Sequence, residues 1–310
     1  MTHVTADTTG RLSTGLYLAV VILAWGGNYA LVKLALDYMA PFTFNAARFG
    51  GAAVVVGGGL MLMGSRLLPL PGERLGLAVI GLCQVTIMLG LTSLGLLWIE
   101  ASRAVLLAYT MPLWALLLGA LLLGEAVTRS KLTGAAIGFL GLVMLFNPLA
   151  MDWSDRDKIL GSGLAILGSI GWALGSTIYR MRRWQSGFWS QVLWQTFIGA
   201  LPLLALALVL EHDAPVDPAP LLGALIVYNW FIPAAFAYWC WSRVLTRMTA
   251  SSAGQALMLA PVYGVVLSIV LFAEPFRPML LLSGALILLG TWLTLRPWTK
   301  PVDTSQVLRP

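Results

Sequence analysis

Five apolar segments followed by five more, the second set repeating the first, constrain this chain more than any other feature. The repeat is clearest where residues 101–125 are laid over 250–274. Ala101 falls on Ala250, Ser102 on Ser251, Ala104 on Ala253, Pro112 on Pro261, Leu118 on Leu267 and Glu125 on Glu274, all at an offset of 149 residues. A weaker match at an offset of 147 pairs Trp25 with Trp172 and Lys33 with Arg180. Each half holds an odd number of spans, so the second half must enter a bilayer from the opposite side. Secondary transporters built this way place a site between two upside-down halves, where it can face either side in turn.

Composition agrees with a bilayer. Of 310 residues, 59% are hydrophobic and 10% charged, outside the range of soluble globular domains. Apolar stretches of about 17–25 residues recur, each able to cross a hydrocarbon core of about 30 Å. The expected spans are 15–36, 41–64, 74–97, 101–123, 131–148, 159–180, 187–210, 220–243, 250–272 and 278–296. Pro41, the Pro69 and Pro71 pair, and Pro215, Pro218 and Pro220 punctuate the chain between them. The expectation is an all-α polytopic membrane protein of ten transmembrane helices in two inverted five-helix repeats, residues 1–150 and 151–310. Together they make one membrane domain with a short tail.

Lys and Arg set the orientation. With the N-terminus in the cytoplasm, that side collects 13 of them against at most 6 outside, even with Lys33, Arg48 and Arg103 assigned outward. The positive-inside rule therefore predicts both termini in the cytoplasm of a bacterial inner membrane. The net charge of +6 is spread over alternate loops, so no nucleic-acid partner is expected. The segment through Arg11 is too short and polar for a full signal peptide, and the apolar run behind it reads as a retained first helix. Cys83 and Cys240 lie in apolar spans and read as small buried hydrophobes, with no disulfide or metal site.

Small residues mark where helices can approach. Gly134 and Gly138 form one GxxxG, Gly171 and Gly175 another, and Gly50, Gly51, Gly57, Gly58 and Gly59 stud the second span. Tight packing within the bundle is the first reading and a dimer interface the second, so a monomer or weak homodimer is expected.

Ala24-Trp25-Gly26-Gly27-Asn28, Pro41 followed by Arg48, and the Pro112 to Glu125 stretch ending in Leu-Gly-Glu resemble the drug/metabolite transporter superfamily, specifically its EamA-type ten-helix exporters. The Ala253 to Glu274 stretch repeats the helix-4 pattern where that family has it. The resemblance covers about residues 15–296, and within the family it is nearest to the YddG-type amino-acid exporters. It implies a central cavity lined by helices 1, 3, 4, 6, 8 and 9, and export of amino acids or related metabolites.

Polar groups facing hydrocarbon without a partner are costly, so midmembrane polar residues should face a cavity or a neighbouring helix. Asn28, Gln84, Thr86, Ser169, Asn229 and Gln255 are such residues, on five of the six helices expected around the cavity. Trp25, Tyr109, Trp172, Tyr228, Trp230, Tyr238 and Tyr263 accompany them near helix centres, where indole and phenol groups need partners. Met88, Met111 and Met258 could add an adaptable wall or fill gaps. The expected substrate-binding set is Trp25, Asn28, Gln84, Met88, Tyr109, Ser169, Trp172, Tyr228, Asn229, Trp230, Gln255 and Tyr263. Ordinary packing is the competing reading for each.

Pro112 and Pro261 lie near the centres of helices 4 and 9 and should leave the carbonyls of Ala108 and Leu257 without helical partners, as Pro233 should for Asn229. Equivalent kinks at equal depth make a plausible gating hinge. No Asp or Glu falls at the centre of any span, which disfavours proton coupling through a buried carboxylate. Glu100, Glu125 and Glu274 are expected to be solvated boundary residues, and Arg103 to snorkel outward. Arg48, the deepest clear charge, is expected in a structural pairing because the resemblance puts helix 2 at the cavity's side. No phosphate loop, metal cluster or nucleophile constellation occurs, so no cofactor and no enzyme activity are expected. The expected partners are a small-molecule substrate, an amino acid or similar metabolite, and the lipid bilayer. A lipophilic-cation exporter is the alternative, with a channel or membrane-embedded enzyme behind it.

Overall fold

The computed structural model describes residues 2–95, 97–99, 104, 107–146, 155–272 and 279–295. Glu100, Arg103, Glu274 and residues 151–154 of the link lie outside the described residues. The described residues form ten helical spans: α1 (Thr2–Leu36), α2 (Pro41–Leu62), α3 (Pro71–Gly95), α4 (Met111–Leu123), α5 (Arg129–Phe146), α6 (Arg156–Met181), α7 (Phe188–Leu210), α8 (Pro220–Leu245), α9 (Ala250–Leu257 continuing as Leu259–Phe272) and α10 (Met279–Leu295). Helix α1 begins at Thr2, well before the expected span of 15–36.

Local chemistry explains the ends. Proline opens α2, α3 and α8, where its missing N–H would have had no helical partner. Asp155 and Thr249 cap α6 and α9 through the amides of Asp157 and Ser252. Gly64 and Gly124 end α2 and α4 at φ of 60° and 63°, a left-handed turn that other residues adopt only with strain.

Packing between helices obeys a simple exchange. Helix α1 packs on α9 and α8, and α6 packs on α4 and α3. Likewise α2 packs on α8 and α3 on α7, while α2 with α7, α4 with α9 and α5 with α10 pack as direct pairs. Swapping each helix with the one five places on reproduces this set of contacts. That is the signature of a two-fold relation between halves, and the odd helix count puts its axis in the membrane plane. Local irregularities obey it too. A π-helical turn interrupts α3 at Leu82–Ile87 and α8 at Ile232–Phe236. The breaks in the fourth and ninth spans fall at Tyr109–Thr110 and Met258.

The glycines hold the halves together by backbone contact. A Cβ on Gly26 would stand 2.4 Å from the Ala260 carbonyl oxygen, and one on Gly264 2.7 Å from that of Gly26, so α1 and α9 touch directly. Gly134 and Gly138 face α10 and the Gln255 side chain, and Gly171 and Gly175 face Cys83, Gln84 and Ile87 of α3, all within one chain. In helix α2 only Gly51, under the Trp230 ring, is sterically committed; Gly50, Gly58 and Gly59 face open space.

Two glutamates clamp one half to the other. Glu211, at the end of α7, accepts hydrogen bonds from the amides of Phe42 (2.9 Å) and Thr43 (2.7 Å) and from the Thr43 hydroxyl (2.9 Å), capping α2. Glu73, in the first turn of α3, does the same for the amides of Gln185 and Ser186 and the Ser186 hydroxyl at the entry to α7. A helix cap is worth about 1–2 kcal/mol. Glu211→Ala should lower the unfolding midpoint of the detergent-purified protein accordingly, with Glu211→Asp intermediate; an unaltered midpoint in both would remove this capping role.

Candidate functional site: a one-ended cavity over an aromatic floor

A cavity of about 240 Å³ runs from the end of the bundle where α1 meets α2 to its middle. Val32, Leu36 and Pro41 line its outer part, Asn45, Arg48, Phe49, Leu89, Thr92, Ser93 and Ala104 its walls, and Trp25, Asn28, Met88, Tyr109, Met111, Trp172, Tyr238 and Leu257 its inner part. Its size sits just below the range of about 300–1,000 Å³ typical of drug-sized ligands, which suits a single small metabolite.

The floor is aromatic. The rings of Trp25 and Trp172 meet edge to face at 5.0 Å, Trp25 meets Tyr238 at 5.4 Å, and Trp241 lies 5.8 Å from Trp25 and 6.0 Å from Trp172. Each such contact contributes about 0.5–1.5 kcal/mol beyond area burial. The Trp25 indole N–H donates to the Pro233 carbonyl at 3.0 Å, so the π-helical turn of α8 offers the acceptor that anchors it. Trp25 and Trp172 are equivalent residues of the two repeats. Two equivalent groups can touch only beside the axis that relates them, which sets the floor at mid-depth. At the equivalent of Asn28 the second repeat has Gly175, and the Gln84 side chain packs where a Cβ there would be. The described lining of the cavity therefore lies on the Asn28 side of the Trp25–Trp172 contact, and the position equivalent to Asn28 is packed by Gln84.

Below the floor the bundle is tied shut. The left-handed turn at Gly124 folds Glu125 back so that its carboxylate accepts from the Ala250 amide and the Ser251 hydroxyl, both at 3.1 Å. The same carboxylate lies 3.6 Å from Arg180 Nε of α6 and 3.8 Å from Lys131 Nζ of α5, and its side chain is only 8% exposed. Glu125 is thus no solvated boundary residue. Its position in the first repeat and its contacts with α6 and α9 in the second make it a link between the halves, which a reading of helix ends in sequence does not show.

Of the twelve residues expected at the site, Trp25, Asn28, Met88, Tyr109 and Trp172 lie in the cavity wall. The rest lie elsewhere. Gln84 donates to the Ser176 hydroxyl at 2.9 Å between α3 and α6, and Ser169 bonds the Thr110 hydroxyl at 2.9 Å between α6 and the fourth span. Asn229 donates to the Leu225 carbonyl, Trp230 to the Ala47 carbonyl and Gln255 to the Met258 sulfur. Tyr228 is half-buried on α8, and Tyr263 lies beside Gly27 of α1. Thr86 donates to the Gly199 carbonyl at 2.8 Å.

Pro112 and Pro261 sit in the first turn after the breaks in the fourth and ninth spans, where a missing N–H is inexpensive. Ahead of Pro112, the turn tightens through the Thr110 amide and hydroxyl, both bonded to the Leu107 carbonyl. Pro233 lies within the π-helical turn.

Helix α2 is the principal difference from expectation: it contributes Asn45, Arg48 and Phe49 to the cavity wall. The signal was present in the spacing. Pro41, Asn45, Arg48 and Phe49 recur at the period of one helical face.

The pattern of the EamA-like transporter family matches residues 12–147 and again residues 159–296. A transporter of Archaeoglobus fulgidus named only as uncharacterised is 25% identical, over 91% of this chain and 96% of its own length. A probable amino-acid metabolite efflux pump of Escherichia coli is 23% identical, over 94% and 98%. A solved crystal structure at 21% identity superimposes with a TM-score of 0.79 over 91% of this chain and 96% of that one, which speaks for the fold. Two copies of one family pattern, laid end to end over ten helices that pack by a two-fold exchange, place this chain in the EamA-like transporter family.

Proposed function

We propose that this chain exports amino acids and related small zwitterionic metabolites across a bacterial inner membrane by alternating access. The observation that carries the reading is the one-ended cavity: a pocket of small-metabolite size, its floor on the pseudo-two-fold axis, with Asn28, Asn45 and Arg48 set among apolar and aromatic groups. An aromatic floor beneath a few amides and one cation suits a molecule with a charged head and an apolar side chain. Two relatives named as probable amino-acid metabolite efflux pumps match this chain at 24% and 23% identity over 93% and 98% of their own length, which supports the substrate class. No aspartate or glutamate is among the described residues lining the cavity, and that disfavours a lipophilic cation.

In this reading the termini face the cytoplasm, as the Lys and Arg distribution predicts, and the cavity faces outward. Repeats 1–150 and 151–310 rock about the Trp25–Trp172 contact. Breaking the Glu125 links opens the cytoplasmic end, and the outer end closes by the equivalent motion. The breaks before Pro112 and Pro261 supply bending points at equal depth. Movement down the substrate gradient needs no intramembrane carboxylate.

Efflux from proteoliposomes preloaded with single radiolabelled amino acids tests this. Saturable release, with apolar and aromatic amino acids leaving fastest, is expected. Release no faster than from protein-free vesicles, for every amino acid and with folded protein, would remove the assignment.

A further inference from the structure

We propose that an anionic phospholipid occupies the surface where the end of α8 meets α1 and α7. Arg243 and Arg247 hold its phosphate, and an acyl chain lies along Phe236 and Ile232. The site is separate from the cavity and independent of what the chain transports.

Ile232, Phe236, Trp239, Arg243 and Arg247 follow one another at helical spacing along α8 and the turn after it, so they share a face. Ile232 and Phe236 are exposed. The Trp239 ring stacks on Phe236 at 5.8 Å and on Trp189 of α7 at 5.6 Å, and meets Tyr17 of α1 edge to face at 5.5 Å. Three helices thus build one aromatic shelf of the kind that sits at headgroup level in a bilayer. Both cations stand on its edge. The Arg243 guanidinium lies 4.2 Å from the Phe188 ring centroid and 4.8 Å from that of Trp239, and the Arg247 guanidinium 5.3 Å from that of Tyr17. Such contacts hold a guanidinium in place without neutralising it. Neither arginine is paired with a carboxylate among the described residues, whereas Arg180, at the same end of the bundle, pairs with Glu125. Only Nε of Arg243 is buried, and its two Nη nitrogens donate to no described residue. Arg247 is exposed and spends Nη1 on the hydroxyls of Ser13 and Thr14, which leaves it further N–H donors. Two like charges four residues apart repel, and an anion between them relieves that repulsion. Arg66 adds a third charge nearby: its carbonyl accepts from the Ser190 hydroxyl at the start of α7. Guanidinium forks match phosphate oxygens, and the apolar stripe runs from them into the hydrocarbon. A phosphate diester with tails complements both parts, and a soluble anion only the first.

Thermal unfolding of the detergent-purified full chain with added dioleoylphosphatidylglycerol tests this. Dioleoylphosphatidylcholine has the same tails without the net charge, and glycerol 3-phosphate is a phosphate without tails. Phosphatidylglycerol is expected to raise the unfolding midpoint saturably, and the other two to leave it unchanged at the same concentrations. Arg243→Gln and Arg247→Gln should each raise the half-saturating concentration about 5-fold, and the double variant about 30-fold, as expected for one or two basic residues beside an anionic lipid. Arg129→Gln removes an exposed charge at the start of α5, at the same end of the bundle, and should change nothing. Arg247 is exposed, so its variant keeps the test open if Arg243→Gln does not fold. Equal effects of the Arg129 and Arg247 variants would reduce the site to a general basic belt and overturn it. Equal stabilisation by phosphatidylcholine or glycerol 3-phosphate, or none by phosphatidylglycerol, would overturn it as well.

Discussion

Gly290→Ala is expected to destabilise the folded protein by about 3 kcal/mol, the upper end of the usual cost of overpacking. A Cβ there would lie 2.5 Å from the Gly134 carbonyl oxygen, 2.5 Å from the Gly138 nitrogen and 2.7 Å from the Gly138 Cα. All three are backbone atoms of α5, so no side chain can rotate away and the helices must separate. In lipid there is little hydrophobic drive to hold them together, and association depends on close dispersion contacts that fall off within an ångström or so of separation. The α5–α10 pair is one of the direct pairs on the two-fold axis, which makes the damage common to both halves. Gly58→Ala is the matched control: nothing lies within 4 Å of its new Cβ, and a change within about 0.5 kcal/mol is expected. Unfolding midpoints of the two purified variants decide the matter. Equal midpoints would mean that backbone contact at Gly290 does not hold α5 to α10.

The second large effect is expected at Glu125. Its carboxylate joins the start of α9, Arg180 of α6 and Lys131 of α5 at the closed end. Removing one member of a buried ionic group costs about 3–5 kcal/mol, and Arg180 and Lys131 reach solvent, so about 2 kcal/mol is the discounted figure. Under the alternating-access proposal the cytoplasmic end opens by losing these contacts. Glu125→Ala should therefore shift the balance between the closed and open arrangements of that end about 30-fold. Alkylation of a cysteine placed at Val32 in the cavity wall reports the shift, once the buried native Cys83 and Cys240 are replaced by alanine. A membrane-impermeant maleimide added outside should label Val32→Cys more slowly in the Glu125→Ala background. The same rate in both backgrounds would show that Glu125 does not hold the closed end.

Arg48 of α2 and the polar residues of α1, α3 and α6 illustrate how far pattern reading reaches. Arg48 was visible as a deep charge, and its helical register with Pro41 and Asn45 was readable. Which way that face points depends on how α2 packs between α7 and α8, where Trp230 lies over Gly51. The midmembrane polar residues divide in the same way. Asn28 lies in the cavity wall, whereas Gln84 and Ser169 lie at similar expected depth and are taken up by Ser176 and Thr110. Periodicity places all three near the middle of helices but says nothing about which neighbour has a hydroxyl within reach. The π-helical turns had no signature in α3, because a single extra residue in a helix is paid for by packing against α6 and α7.

The sequence by itself determined ten apolar spans, their duplication and hence the inverted two-fold frame, because hydropathy length and an odd span count admit few other arrangements in a bilayer. Tertiary structure alone decided that the cavity opens at one end, that Trp25 meets Trp172 on the axis, and that Glu125 ties the opposite end shut. Those features arise from contacts between residues 125 to 208 positions apart, or across the repeat, and their energies depend on distances of an ångström or less that no one-dimensional pattern records.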